Sequence, residues 1–151
     1  MMFRTHLIFG VFISLLLLNL GEWYYVFLFV LSGALLPDID FSRSKVGRKF
    51  GFISEVIEFL FGHRKLFHSL FFAVLLSFIV VYFFNFNYGL LFFIGYLSHL
   101  VSDGLTKEGV RLFHPLKYKI RGMFRSGGSL EFVFFIFFIV LNLFLVYNMW
   151  W

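Results

Sequence analysis

The chain of 151 residues contains no cysteine. That absence excludes a disulfide framework and every thiolate metal site, so a metal centre could use only His, Asp, Glu, backbone and water. Charge is also scarce, at 14% of residues, and proline occurs only at Pro37 and Pro115. Apolar residues make up 61%, phenylalanine alone supplies 27, and the mean hydropathy is +0.92. Soluble globular chains hold about 45–50% apolar residues. Composition therefore excludes an ordinary soluble domain and specifies a membrane protein. There is no internal repeat, and the length suggests one integral membrane domain, 1–151.

The opening MMFRTHLIFGVFISLLLLNL imitates a signal peptide, but the following LNLGEW lacks a small-residue cleavage pattern. The segment is expected to be retained, and His6 with it. Hydropathy predicts an all-α membrane protein with about five transmembrane helices, over 3–20, 23–36, 68–84, 88–103 and 130–151. Several are short against the ~20 residues that cross a bilayer core of about 30 Å. Polar ends would complete those spans, or the bilayer would thin locally. NLGE at 19–22 and NFN at 85–87 serve as tight hairpin connectors, whereas 37–67 and 104–129 are long polar loops.

All thirteen Lys and Arg residues fall in the N-terminal end and in those two loops. The positive-inside rule then predicts a cytoplasmic N-terminus and cytoplasmic long loops. Within the first loop, GFISEVIEFLF sets Phe52, Ile53, Val56, Ile57 and Leu60 on one helical face and Glu55 and Glu58 on another. That pattern predicts a short amphipathic helix lying in the interface.

The acidic and imidazole groups gather at the same face. His6 opens the first segment, Asp38 and Asp40 follow the second, and His68 opens the third. His99 and Asp103 close the fourth, and Glu131 opens the last. His99 and Asp103 are i and i+4, stacked on one helical face about 6 Å apart along the axis. Gly95, one turn earlier, leaves room for a ligand or a close helix. Pro37 stops the second segment, so its two carboxylates follow in irregular backbone. In HRKLFHS, His63 lies on the approach to His68.

Imidazole with carboxylate and no thiol suits zinc, with manganese or iron as alternatives. The donors suffice for one or two ions. A divalent ion would offset the cost of carboxylates near hydrocarbon, roughly 2.5–3.5 kcal/mol for each unpaired charge. Water on such an ion becomes a nucleophile near neutral pH. Arg64, helped by Lys65, would hold an anionic group such as phosphate. Plainer roles stand beside these. Asp38 and Asp40 can form a turn after Pro37, Glu131 can be a helix N-terminal acid, and Asn142 an interhelical hydrogen bond. The basic loops can serve topology and anionic lipid.

HLIFG, LLPDID, HRKLFHS and GYLSHLVSDGLTKEGVRLFHPL run in order from His6 to Leu116, with SGGSLE at 126–131. Together they resemble the YdjM-like family of inner-membrane, predicted metal-dependent hydrolases over nearly the whole chain. The resemblance implies an inner-membrane location. It also implies a polar centre of His6, Asp38, Asp40, His63, Arg64, His68, His99 and Asp103, with Thr106, Gly109 and Pro115 matching downstream positions. Lys65 stands where the family commonly has glycine, and Phe67 where it has threonine, which removes a hydroxyl beside His68. A more distant likeness in ligand types and order, including an HxxxD pair on a helix, is to the zinc-dependent phospholipase C and S1/P1 nuclease group. By analogy it favours phosphoester hydrolysis at a lipid headgroup.

The expectation is thus a membrane-embedded, metal-dependent hydrolase. Its ligands would come from His6, Asp38, Asp40, His68, His99 and Asp103, with His63 and Glu131 as further candidates. Asp40 would act as proton acceptor, and Arg64 and Lys65 would bind the anion. Partners would be membrane lipids and an anionic lipid or phosphoester substrate, with no nucleic acid. The competing expectation is a non-enzymatic membrane protein whose helices are stapled by a metal or a His/Asp network. An ion pathway fits less well, because the outer half offers little beyond Asn142.

Overall fold

A computed structural model of the chain describes residues 1–61, 65–116 and 118–150. Its helices follow the hydropathy. α1 (Phe3–Leu16) ends in the 3-10 turn Leu18–Leu20, and α2 (Trp23–Leu35) continues into a second 3-10 turn, Leu36–Asp40. Pro37 cannot donate an N–H to a continuing helix, which favours the change of geometry there. α3 (Lys45–Phe50) and α4 (Phe52–Phe61) occupy the first long loop, followed by α5 (Leu70–Phe83), α6 (Phe86–Gly104) and α7 (Ser129–Trp150). The described residues contain no strand. Two isolated bridges, Thr106 with Phe124 and Val110 with Ile120, fold the loop after α6 back on itself.

Side-chain caps set several boundaries that hydropathy alone misplaces. Ser69 Oγ accepts from Phe72 N at 3.2 Å, so α5 starts at Leu70 and His68 lies ahead of the helix rather than in it. Asn85 Oδ1 accepts from Tyr88 N at 3.0 Å and starts α6 two residues earlier than the apolar run suggests. Ser44, accepting from Gly47 N at 2.7 Å, starts α3, a helix that hydropathy does not foreshadow.

The centre of the bundle is the α2–α6 crossing. A Cβ on Gly33 would stand 2.2 Å from the carbonyl oxygen of Phe92, and one on Gly95 would stand 2.1 Å from that of Val30. Both obstacles are backbone, so only glycine permits this approach; small residues allow membrane helices to pack this closely. The space expected beside Gly95 is filled by helix α2. Around the crossing, Val26, Phe29 and Val30 of α2 pack with Leu91, Phe92, Tyr96 and Leu100 of α6 and Ala73 of α5. α1 lies against α2 and α6, and α7 against α1. Asn142 Nδ2 donates to the Ile8 carbonyl at 3.1 Å, the interhelical bond expected from sequence.

The outer faces stay apolar. Phe71, Phe78 and Tyr82 of α5, and Phe137, Val140, Leu143 and Phe144 of α7, are exposed. So large an apolar surface matches a bilayer rather than water. The stretches Trp23–Asp40 and Ser129–Met149 are long and apolar enough to cross a membrane, while Phe3–Leu16 and Leu70–Phe83 are shorter apolar helices. α4 is turned inside out. Phe52, Ile53 and Leu60 are exposed, whereas Ser54 Oγ donates to the Ile39 carbonyl and Glu58 accepts from Ser42 N. Ser54 and Glu58 thus hold this helix to the protein while its large apolar residues face outward.

Candidate metal centre

The helix directions bring the first turn of α1, the end of α2, the approach to α5 and the last turns of α6 together. His6, Asp40, His68, His99 and Asp103 are all at most 1% exposed there, and Asp38 is 9% exposed. Nε2 of His99 lies 3.2 Å from Nε2 of His68 and 4.0 Å from Asp103 Oδ2. His68 Nε2 is 3.5 Å from Asp103 Oδ2, and His6 Nε2 is 3.4 Å from Asp103 Oδ1. Asp38 Oδ1 approaches His99 Nε2 to 3.9 Å. The His6 and His99 rings stack with centroids 3.9 Å apart.

The outer nitrogens decide which way each ring presents its lone pair. His99 Nδ1 meets the Ala34 carbonyl at 2.7 Å, an acceptor that requires Nδ1–H. His68 Nδ1 meets Asp40 Oδ2 at 3.0 Å, another acceptor. Ser102 Oγ gives its proton to the His99 carbonyl at 2.8 Å, so it receives one from His6 Nδ1, also at 2.8 Å. All three rings thereby carry their proton on Nδ1 outside and turn Nε2 inward. His6 Nε2 is buried and without a hydrogen-bond partner among the described residues. Metal-ligating imidazoles are held in this way, the outer N–H on a carboxylate, carbonyl or hydroxyl.

Ligand atoms of His68, His99 and Asp103 lie within 4.8 Å of one another, and so do those of His6, Asp38 and His99. These groups can hold a metal ion, and the N/O donor set fits zinc, manganese or iron. The cluster already draws in positive charge: the Met1 α-amino group donates to Asp103 in this buried setting.

The sequence candidates divide into three groups. His6, Asp38, His68, His99 and Asp103 point ligand atoms at one another. Asp40, expected as ligand or proton acceptor, turns Oδ2 to the outer nitrogen of His68 instead. Glu131 departs from the expected ligand role. It accepts from Met2 N at 2.6 Å and Thr5 Oγ1 at 2.7 Å with one oxygen, and from Gly127 N at 2.6 Å with the other. It thereby joins α1 to the start of α7. Lys65 is exposed. His63 and Arg64 lie outside the described residues.

Three contributors were not legible as such. Tyr96, fully buried, donates its hydroxyl to the Phe67 carbonyl beside His68. Ser102 and the Ala34 carbonyl orient His6 and His99. Tyr96 and Ser102 flank His99 at i−3 and i+3, so helical spacing could have flagged them; no sequence signal marks a backbone carbonyl 65 residues away. After Asp103 the chain turns sharply. Thr106 Oγ1 donates to the Asp103 carbonyl at 2.7 Å and accepts from Gly109 N at 3.2 Å, and Gly109 adopts φ +63°. Phe67 leaves no hydroxyl beside His68, and its ring packs on Phe72 at 4.3 Å between centroids.

An all-helical bundle with an apolar outer surface and a buried His/Asp cluster at one end defines an integral membrane protein with metal-binding capacity. The family model of the YdjM inner membrane protein matches residues 1–151, and the chain belongs to that family, an assignment that places it in the inner membrane. It is 41% identical over 92 residues to the uncharacterized protein YvsG of Bacillus subtilis, covering 59% of this chain and 56% of that one. It is 36% identical over 107 residues to the inner membrane protein YdjM of Escherichia coli, covering 67% of this chain and 55% of the relative, and matches that of Shigella flexneri equally. The chain thus spans about half the length of these curated relatives. No solved structure matches it.

Proposed function

We propose that this protein is a membrane-embedded, metal-dependent hydrolase acting on a phosphoester or lipid headgroup at the cytoplasmic interface. The observation that carries the proposal is the inward convergence of three Nε2 atoms whose Nδ1 partners all lie on the outside. An outer Nδ1–H on a fixed acceptor is the arrangement that presents Nε2 to a metal ion. In this proposal α1, α2, α5, α6 and α7 all cross the bilayer, with the N-terminus cytoplasmic. The support is the one-sided distribution of basic residues and the gathering of His6, Asp38, His68, His99 and Asp103 at one end of the bundle.

His6, His68, His99, Asp103 and Asp38 would hold one or two divalent ions, zinc before manganese or iron. Such an ion supplies Lewis acidity and makes water nucleophilic near neutral pH. Asp40 fixes the tautomer of His68 and raises its basicity. Asp38 lines both the cluster and an adjoining open cavity. It is therefore the ligand nearest to water entering that way. Helices α2 and α6, locked by their glycines, keep the Ala34 carbonyl on His99.

The test is elemental mass spectrometry on detergent-purified full-length protein, beside a His99→Ala/Asp103→Ala variant with helicity checked by circular dichroism. Stoichiometric metal in the wild type, absent from a folded variant, supports the centre and leads to assays on phosphoesters and phospholipids. A wild type that is metal-free and takes up neither zinc nor manganese sinks the proposal.

One observation favours the structural alternative. A proton shared between His68 and His99, 3.2 Å apart, would also close the network. In that case metal would be absent, and stability would not change when zinc is supplied.

A further inference from the structure

A cavity of about 660 Å³ opens beside the cluster, with Asp38 and Met1 common to both. Arg43, Lys45, Arg48 and Lys119 line it, against Asp38 and Glu108 as the acidic groups. Four cations against two carboxylates leave the walls net positive, at the end of the bundle where the metal-competent atoms converge. In the sequence these four belong to basic loops read as serving topology and anionic lipid. They come together because α3 presents Lys45 and Arg48, the segment before it supplies Arg43, and the returning 105–128 loop brings Lys119 across. Ser126 Oγ donates to Glu108 at 3.0 Å on the same wall. Lys45 Nζ sits 5.2 Å from the Phe3 ring centroid, held at the wall by a cation–π contact.

We infer that this cavity binds a phosphate group presented at the membrane surface, held by Arg43, Lys45, Arg48 and Lys119. Arginine forks match phosphate oxygens in pairs, and lysines add point charge. The rest of the wall mixes Ser44 and Ser126 with the apolar Met2, Phe3 and Phe41, and α4 next to α3 carries its apolar face outward. A charged recess with apolar flanks at an interfacial helix suits an amphiphile whose phosphate enters and whose chains stay in lipid. Cleavage of that ligand rests on the metal-centre proposal above; its binding does not.

The experiment measures binding to full-length protein in nanodiscs of phosphatidylcholine, with and without phosphatidate, and separately binding of inorganic phosphate in detergent. It compares the wild type with Arg43→Gln/Arg48→Gln and Arg43→Lys/Arg48→Lys, and records metal content for all three. Loss of two charge-assisted contacts should weaken binding about tenfold or more, and the lysine pair should recover part of it. Phosphatidate bound with inorganic phosphate ignored identifies the lipid as the source. Both bound, and both weakened by the glutamine pair, identifies phosphate itself. Binding of neither, or binding equal in all three proteins, overturns the assignment. The two proposals fail separately: metal-free protein whose phosphate binding depends on Arg43 and Arg48 removes only the hydrolase, and metal-loaded protein without phosphate binding removes only this site.

Discussion

His68 and His99 face each other nitrogen to nitrogen, Nε2 to Nε2 at 3.2 Å, while their outer nitrogens are committed to Asp40 and to the Ala34 carbonyl. Two lone pairs cannot rest at that distance without a cation or a proton between them. The residues are 31 apart in sequence and come from different helix ends, so a cation or proton held between them would also join the approach to α5 to the end of α6.

That relationship predicts a stability linked to metal. Supplying zinc to metal-stripped protein at a hundred times its dissociation constant should stabilise the fold by about 2.7 kcal/mol. Thermal unfolding in detergent, with and without zinc, reads the shift. His99→Ala should show none.

Asp40 touches the outer nitrogen of His68, so Asp40→Asn should lower metal affinity about 10–100-fold without unfolding the bundle. Competition against a metal-binding dye measures this, with circular dichroism as the control. An unchanged affinity would mean that Asp40 does not orient the ligand.

Gly95→Ala should be disruptive despite its size. The added carbon meets the Val30 carbonyl at 2.1 Å, whereas one on Gly104 finds ordinary contact with Val110 at 3.7 Å. Overpacking of this kind costs about 1–3 kcal/mol. The melting temperature of Gly95→Ala should fall well below that of Gly104→Ala, and its metal occupancy should fall with it as Ala34 moves off His99.

Glu131→Gln separates a latch from a ligand. The amide puts donors where a carboxylate oxygen accepts from Gly127 N, or from Met2 N and Thr5, at a cost of about 1–3 kcal/mol. Thermal stability should drop while metal content stays at the wild-type level. Loss of metal with unchanged stability would return Glu131 to the ligand set.

Much of this was legible from one dimension. Hydropathy marks the long helices because lipid demands apolar faces all round. The i, i+4 spacing of His99 and Asp103 puts them on one face before any fold is known. Scarcity of charge makes the few ionisable groups conspicuous, so His6, Asp38, His68, His99 and Asp103 could be singled out by type and position. Caps were less visible. Ser69 and Asn85 shift boundaries through single hydrogen bonds that hydropathy does not register.

The sequence by itself determined an all-helical membrane protein, its family and the stock of metal-competent side chains, because these depend on composition and local periodicity. Only the tertiary structure decided what each group does. Asp40 became a partner of His68, and Glu131 a tie between α1 and α7. Arg43, Lys45, Arg48 and Lys119 became the walls of one cavity. Those roles depend on which distant atoms a hydrogen bond or a charge reaches, and that follows from how closely two glycines let α2 and α6 approach.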